Sequence, residues 1–219
     1  MVIGTTLWSM NSRCEFLHLA KNGGTSFVKQ NGLTVPNGHP FADSFPESVK
    51  LYCFWREPLS RFLSAYRFAR QEKSMHHDNA STSSTRHPDF DLCRRVSPTT
   101  VLVLACLSQF RLYRFVMPSS VQLKHPGFYR ASHYAFRRKR VSYILDLNRS
   151  KSALKELENK TGLNLRLDEK TNASQQVEVR ISKIARWFHC CVYAKDYSIW
   201  NRLATSPTGF LSCEGSAMS

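Results

Sequence analysis

Apolar residues along the chain fall into short blocks separated by turn-formers and polar stretches. Cys14 to Ala20 (CEFLHLA) is a compact apolar run of strand length. It ends in a turn cluster, and Ser26 to Gln30 then reads as the opening of a helix. Residues 31–46, rich in Gly, Pro and Asn, read as loop. Val49 to Trp55 (VKLYCFW) predicts a second buried strand. Pro58 suits the first turn of a helix, where its missing N–H costs nothing. Leu59, Phe62, Leu63 and Tyr66 continue from it as one apolar stripe, expected to run to about Arg70. Thr99 to Phe115 is apolar and expected to be helical. Tyr143 to Leu147 fits a strand or a helix start. Ser150 to Thr161 predicts a helix stopped by Gly162. Ile181, Ile184, Ala185, Phe188 and Val192 mark one long C-terminal amphipathic helix, expected to continue to Trp200. Gln71 to Asp89 is polar and Ser/Thr-rich, so a flexible insertion is expected over about residues 71–98 of a single domain spanning 1–219. Strands alternating with helices imply an α/β fold with a central, mainly parallel sheet flanked by helices.

The composition changes this picture in two ways. Hydrophobic residues make up 42% and charged residues 21% of the 219, enough for a real core and against global disorder. The formal net charge is +15, which favours an anionic partner: nucleotide, acidic polysaccharide, nucleic acid or anionic membrane. No segment reaches the roughly 20 apolar residues of a spanning helix, so no membrane partner is expected. The first residues (MVIGTTLWSMNSR) lack the basic start, apolar stretch and small-residue site of a secretion leader. The seven cysteines include no Cys-x-x-Cys pair, so neither a disulfide framework nor a zinc site is expected.

Two segments carry candidate chemistry. The first is Lys21-Asn22-Gly23-Gly24-Thr25-Ser26, between a strand and a helix. Its glycines let backbone N–H groups approach an anion, the helix start adds partial positive charge, and Lys21, Thr25 and Ser26 add donors. It is not the nucleoside-triphosphate loop, in which Lys-Ser/Thr follows the last glycine. Taken alone, an ordinary strand–helix turn explains it equally well. The second segment is Arg56 to Arg67 (REPLSRFLSAYR). Arg56 follows the second strand, at the edge where parallel sheets bind ligands. Arg61, Ser64 and Phe68 share a helix face partly distinct from the core stripe, and arginine with a serine hydroxyl can grip a phosphate. A solvated basic helix is the plainer reading of any one of these residues.

Together, FLHLAKNGGTSF and FWREPLSRFLSAYRF resemble the sulfotransferases that use 3′-phosphoadenosine 5′-phosphosulfate (PAPS), in the carbohydrate branch with heparan-sulfate, chondroitin and bacterial members. That family carries a Pro-Lys-x-Gly-Gly-Thr-Ser turn and an Arg-Asp/Glu-Pro-x-x-Arg-x-x-Ser-x-Tyr segment, in this order. Ala20 replaces the usual proline. The resemblance is clear over residues 14–70. It thins at Met117-Pro118-Ser119-Ser120 and returns weakly at Lys170 to Ser174 and in YAKDYSIWNRL.

The resemblance implies a P-loop-like three-layer fold and transfer of a sulfuryl group from PAPS to a hydroxyl, with PAP as product and no metal. The implied acceptor is a saccharide, and nucleic acid is not a specific partner. Lys21, Asn22, Gly23, Gly24, Thr25 and Ser26 would hold the 5′-phosphosulfate, and Arg56 and Ser64 the 3′-phosphate. Lys21 would meet charge on the leaving phosphate. His39, in Asn37-Gly38-His39-Pro40, is the candidate base, with Asp43 as the weaker alternative or as its orienter. His18 reads as a core histidine, His76-His77 as a solvated pair, and Arg137-Arg138-Lys139-Arg140 as a charged face or a polyanion contact. The resemblance leaves localisation open: cytoplasmic, or Golgi-lumenal if an anchor precedes the chain. Two rivals stand beside this reading. A P-loop-like kinase would use Tyr143-Ile144-Leu145-Asp146 as a magnesium-bearing strand. A noncatalytic polyanion-binding module would explain the charge but not the two motifs.

Overall fold

Strands β1 (Cys14–Phe16), β2 (Lys50–Trp55) and β3 (Tyr143–Asp146) lie side by side and parallel, and β4 (Phe210–Ser212) closes the sheet antiparallel to β3. This is a computed structural model, and it describes residues 14–33, 39–71, 87–110, 113, 117–118, 121–138, 140–167 and 179–214. Helices α1 (Gly24–Gln30), α2 (Pro58–Ala69), α3 (Phe90–Arg95), α4 (Pro98–Leu107), α5 (Ala131–Ala135), α6 (Ser150–Thr161), α7 (Lys183–Val192) and α8 (Ala194–Thr205) surround it.

Alternate strand residues point to opposite faces, and both faces are covered, as a parallel sheet requires. Leu51, Cys53, Trp55 and Ile144 pack on Ala131 and Ala135 of α5 and on Ile199 and Leu203 of α8. Phe16, Tyr52, Phe54, Tyr143 and Leu145 pack on Phe27 of α1 and on Ala153, Leu154 and Leu157 of α6. The result is an α/β three-layer arrangement. A further apolar cluster joins α2, α3, α4 and α7 through Phe62, Ala65, Cys93, Leu102, Ala105 and Ala185.

Four sequence expectations need correction. The first strand pairs only over Cys14–Phe16, with one more bond from Leu17 N–H to the Tyr52 carbonyl at 2.8 Å. Beyond it the backbone is claimed by other partners: the Leu19 carbonyl by Asn22 N–H, and the Ala20 carbonyl by the Arg61 side chain. The helix expected to reach Phe115 ends at Leu107. There the Ser108 hydroxyl and the Gln109 amide both bond back to the Ala105 carbonyl and compete with the helical ladder. The single C-terminal helix is two, broken at Tyr193, which is buried and donates its hydroxyl to the Phe128 carbonyl. That anchor lets α7 face α4 while α8 turns to the sheet. Finally, the expected insertion contains helix α3, whose Phe90 and Cys93 are buried. Residues 72–86, His76-His77, Lys139 and Lys170 to Ser174 lie outside the described residues. Tyr143 to Asp146 is a strand, and the antiparallel β4 was not anticipated.

Candidate functional site

The turn after β1 and the start of α2 leave the same edge of the sheet, at the carboxyl ends of β1 and β2. Lys21 has φ 62° and Gly23 φ 78°, so the turn passes through the left-handed region twice within three residues. A non-glycine residue there is uncommon and tends to mark a functional site. The tightness is steric as well. A Cβ on Gly24 would lie 2.0 Å from His18 Cδ2, and one on Gly23 would lie 2.4 Å from Leu147 Cδ1. Only glycines let the start of α1 sit this close to the His18 ring. Both polar atoms of the Asn22 amide are buried without a hydrogen-bond partner. An orphaned buried amide costs free energy that a polar ligand can return.

Helix α2 supplies the other wall. Its start is capped by Glu57, whose carboxylate accepts from the N–H groups of Leu59 and Ser60, with Pro58 in the first turn. The cap holds Arg56 at the strand end, where its Nε donates to Ser60 Oγ at 3.0 Å. Ser64 is buried on the same helix. One turn further, the Lys21 ammonium rests 3.8 Å from the centre of the Phe68 ring.

Burial, with the nearby Arg56 charge, pushes the Lys21 amine down to about 8. Burial also lowers the Arg56 guanidinium, helped by Arg67 and only partly offset by Glu57. Two cations from separate strand ends thus converge where burial and neighbouring positive charge make each harder to charge. An incoming anion would relieve both.

Arg61, on the same helix, behaves differently. It is fully buried and its three donor arms are engaged. Nε donates to the Ala20 carbonyl at 3.0 Å, Nη2 donates to the Pro126 carbonyl at 3.2 Å, and Nη1 pairs with Asp196 at 3.7 Å. Asp196 also accepts from the backbone N–H groups of Ala131 and Ser132, at 2.7 and 3.0 Å. The residue read as part of a ligand-facing basic face is instead a brace that fixes the Lys21 turn against α8.

Four histidines line the space around Lys21. The rings of His18 and His39 are 4.8 Å apart, His39 and His125 6.2 Å, and His125 and His87 4.7 Å. His39 Nδ1 lies 3.2 Å from the His18 carbonyl. A carbonyl can only accept, so Nδ1 carries the proton and Nε2 keeps a lone pair. Burial lowers the His39 pKa, against the raising effect of that bond, so the ring is neutral near pH 7. His18 falls to about 3 and His125 to about 2, chiefly by burial. His125 Nδ1 accepts from Gly127 N–H at 3.0 Å, and the Pro126-Gly127 turn packs against the stem of Lys21.

Asp43, the sequence's weaker candidate, makes contacts to the basic run. It accepts from the Arg138 backbone N–H at 2.9 Å and pairs with Arg137 Nε at 4.0 Å. It therefore ties the basic run at 137–140 to the loop that carries His39.

Of the sequence-predicted residues, Lys21 to Ser26 and Arg56 follow the carboxyl ends of β1 and β2, His39 lies beside His18, and Ser64 is buried in the second turn of α2. Sequence reasoning missed the brace Arg61–Asp196, the Phe68 seat of Lys21, and His125. The His-Pro-Gly spacing at 125–127 was the one local signal for the last of these. Among the described residues, no group of three or more His, Cys, Asp or Glu side chains is placed to hold a metal ion. No family model, curated protein or solved structure matches the chain.

Proposed function

We propose that this protein is a sulfotransferase that moves a sulfuryl group from PAPS to a hydroxyl acceptor, in a P-loop-like version of the three-layer fold. The observation that carries the reading is the convergence of Lys21 and Arg56, two partly buried cations from separate strand ends, around a turn of left-handed residues with an orphaned amide. An adenosine bearing phosphate groups at both the 5′ and 3′ positions offers one anion to each cation. Lys21, with the turn N–H groups, Thr25 and Ser26, takes the phosphosulfate; Arg56 and Ser64 take the 3′-phosphate.

The step then balances without a metal. His39 Nε2 takes the acceptor hydroxyl proton. The acceptor oxygen forms a bond to sulfur as the bond from sulfur to the bridging phosphate oxygen breaks. The charge left on that phosphate is met by Lys21. A lysine with a pKa near 8 remains mostly charged at neutrality, and among the described residues no carboxylate pairs with it. The resemblance over residues 14–70 favours a saccharide acceptor.

The kinase alternative asks Asp146 to hold magnesium. Asp146 is buried, accepts from Asn148 N–H at 2.8 Å and pairs with Arg149 Nε at 2.9 Å, so it is already spent on the fold. The test is transfer of labelled sulfuryl from PAPS to a panel of saccharides and phenols. Transfer lost in both Lys21→Met and His39→Ala supports the assignment. Phosphoryl transfer from ATP with magnesium, and none from PAPS, overturns it.

A further inference from the structure

Helix α7 buries one stripe, Ala185 and His189, against the helical cluster, and leaves a second apolar stripe in water. Ile184 is 80% exposed and Trp187 67% exposed; Cys191, one further turn on, is also exposed. The spacing i, i+3, i+7 puts all three on one face. Single exposed apolar residues are ordinary, but an isoleucine and a tryptophan one turn apart, both standing proud of the surface, are not.

The surroundings say what would cover them. From Val179 to Cys213 the chain carries five Lys or Arg residues (Arg180, Lys183, Arg186, Lys195 and Arg202), all exposed. The one acid in that stretch, Asp196, is buried against Arg61. The surface of α7 and α8 is therefore apolar at its crest and positive around it. A second copy of the chain would bring these bases against each other. A protein partner forming a standard interface would need a far larger apolar patch than three side chains. A helix presenting Trp and Ile beside Lys and Arg suits a lipid interface, where the apolar groups enter the acyl boundary and the cations meet anionic headgroups.

We propose that α7 docks on an anionic lipid surface, with Ile184, Trp187 and Cys191 entering the interface and Lys183 and Arg186 on the headgroups. Among the described residues no helix is long and apolar enough to cross a membrane. This surface is independent of the proposed chemistry. On the inner side of α7, His189 Nδ1 lies 3.1 Å from the hydroxyl of Tyr197 in α8.

The test is co-sedimentation of the full chain with phosphatidylcholine vesicles, with and without phosphatidylserine. Binding should require phosphatidylserine. It should fall about tenfold or more in Lys183→Glu/Arg186→Glu, at roughly a kcal/mol per basic residue near the surface. It should fall again in Ile184→Ser/Trp187→Ser, whose exposed positions leave the fold intact, as an unchanged melting temperature would verify. In the free protein, Trp187 should be open to an aqueous quencher, and phosphatidylserine vesicles should shield it. Three outcomes overturn the proposal. One is vesicle binding indifferent to Ile184→Ser/Trp187→Ser, which would be the whole +15 surface at work. Another is a Trp187 already shielded without lipid. The third is a dimer, or capture of an acidic protein, that depends on Trp187 while vesicles do not bind.

Discussion

Two arginines five residues apart, Arg56 at the end of β2 and Arg61 in the first turn of α2, are used in opposite ways. Arg61 lies inside, with a carboxylate and two carbonyls around it. Arg56 lies at the sheet edge beside Lys21, where burial and like charges work against its own charge. The inner cation is paired with a carboxylate; among the described residues the outer two are not, Arg56 donating to Ser60 Oγ and Lys21 resting on the Phe68 ring. One short segment thus holds a braced arginine and an arginine without a carboxylate partner among the described residues. Basic residues in a motif therefore cannot be assigned to ligand by sequence position alone.

The comparison predicts different outcomes for equal changes. Removing the inner arginine (Arg61→Ala) strands Asp196 in the core and should cost about 3–5 kcal/mol in denaturant unfolding. A loss below about 1 kcal/mol would mean that the buried pair is not the brace described. Removing the outer one (Arg56→Ala) should leave unfolding stability unchanged or slightly raised, because a like-charge conflict is relieved. It should weaken binding of 3′-phosphoadenosine 5′-phosphate by about ten- to a hundredfold, the worth of a charge-assisted contact. Calorimetric titration reads that loss.

Gly24→Ala probes the turn between them. Its methyl group would meet the His18 ring at 2.0 Å, so the ring must move. About 1–3 kcal/mol of stability should be lost, with PAP affinity falling in parallel. Unchanged stability would show that the tight approach of α1 to His18 is not what the turn depends on.

The remaining effects are in pH; burial lowers the pKa of each group, so stability rises with pH in both cases, in an alkaline window for Lys21 and an acid one for the histidines. Lys21 ionises near 8 when folded and near 10.5 when unfolded. As pH rises from about 8, the folded form releases a proton that the unfolded form keeps. Stability of the free protein therefore rises relative to Lys21→Met, while PAP affinity falls. His18 and His125 run in the acid range. They titrate near 3 and 2 when folded and near 6.5 when unfolded, so stability drains as pH drops below 6.5. Comparing acid unfolding of wild type with His18→Asn checks the acid window. A curve for Lys21→Met parallel to wild type above pH 8 contradicts the alkaline one.

How much of this was legible follows the same division. The strand–glycine turn–helix unit and the Arg56-Glu57-Pro58 helix start were readable because their signals are local: apolar runs, turn residues, proline at a first helical turn. What escaped depends on distant partners. Nothing near Arg61 announces Asp196, which lies on the penultimate segment of the chain. Tyr193 reads as one more apolar residue on a helix until its hydroxyl is seen on the Phe128 carbonyl. Helix α3 hides in polar sequence because only Phe90 and Cys93 of its six residues are buried. The histidines at 18, 39, 87 and 125 meet only through the fold, and of these His39 alone had been given a role.

The most direct test of the account is thermal unfolding with 3′-phosphoadenosine 5′-phosphate, compared with AMP and with ATP plus magnesium. The prediction is a shift specific to the nucleotide with the 3′-phosphate. It should be worth about 2.7 kcal/mol at a hundred times the dissociation constant, and be lost in Arg56→Ala but retained in Ile184→Ser/Trp187→Ser. No shift at saturation, or a shift with ATP and magnesium alone, would contradict the claim that Lys21 and Arg56 form a site for a 3′-phosphorylated adenosine nucleotide.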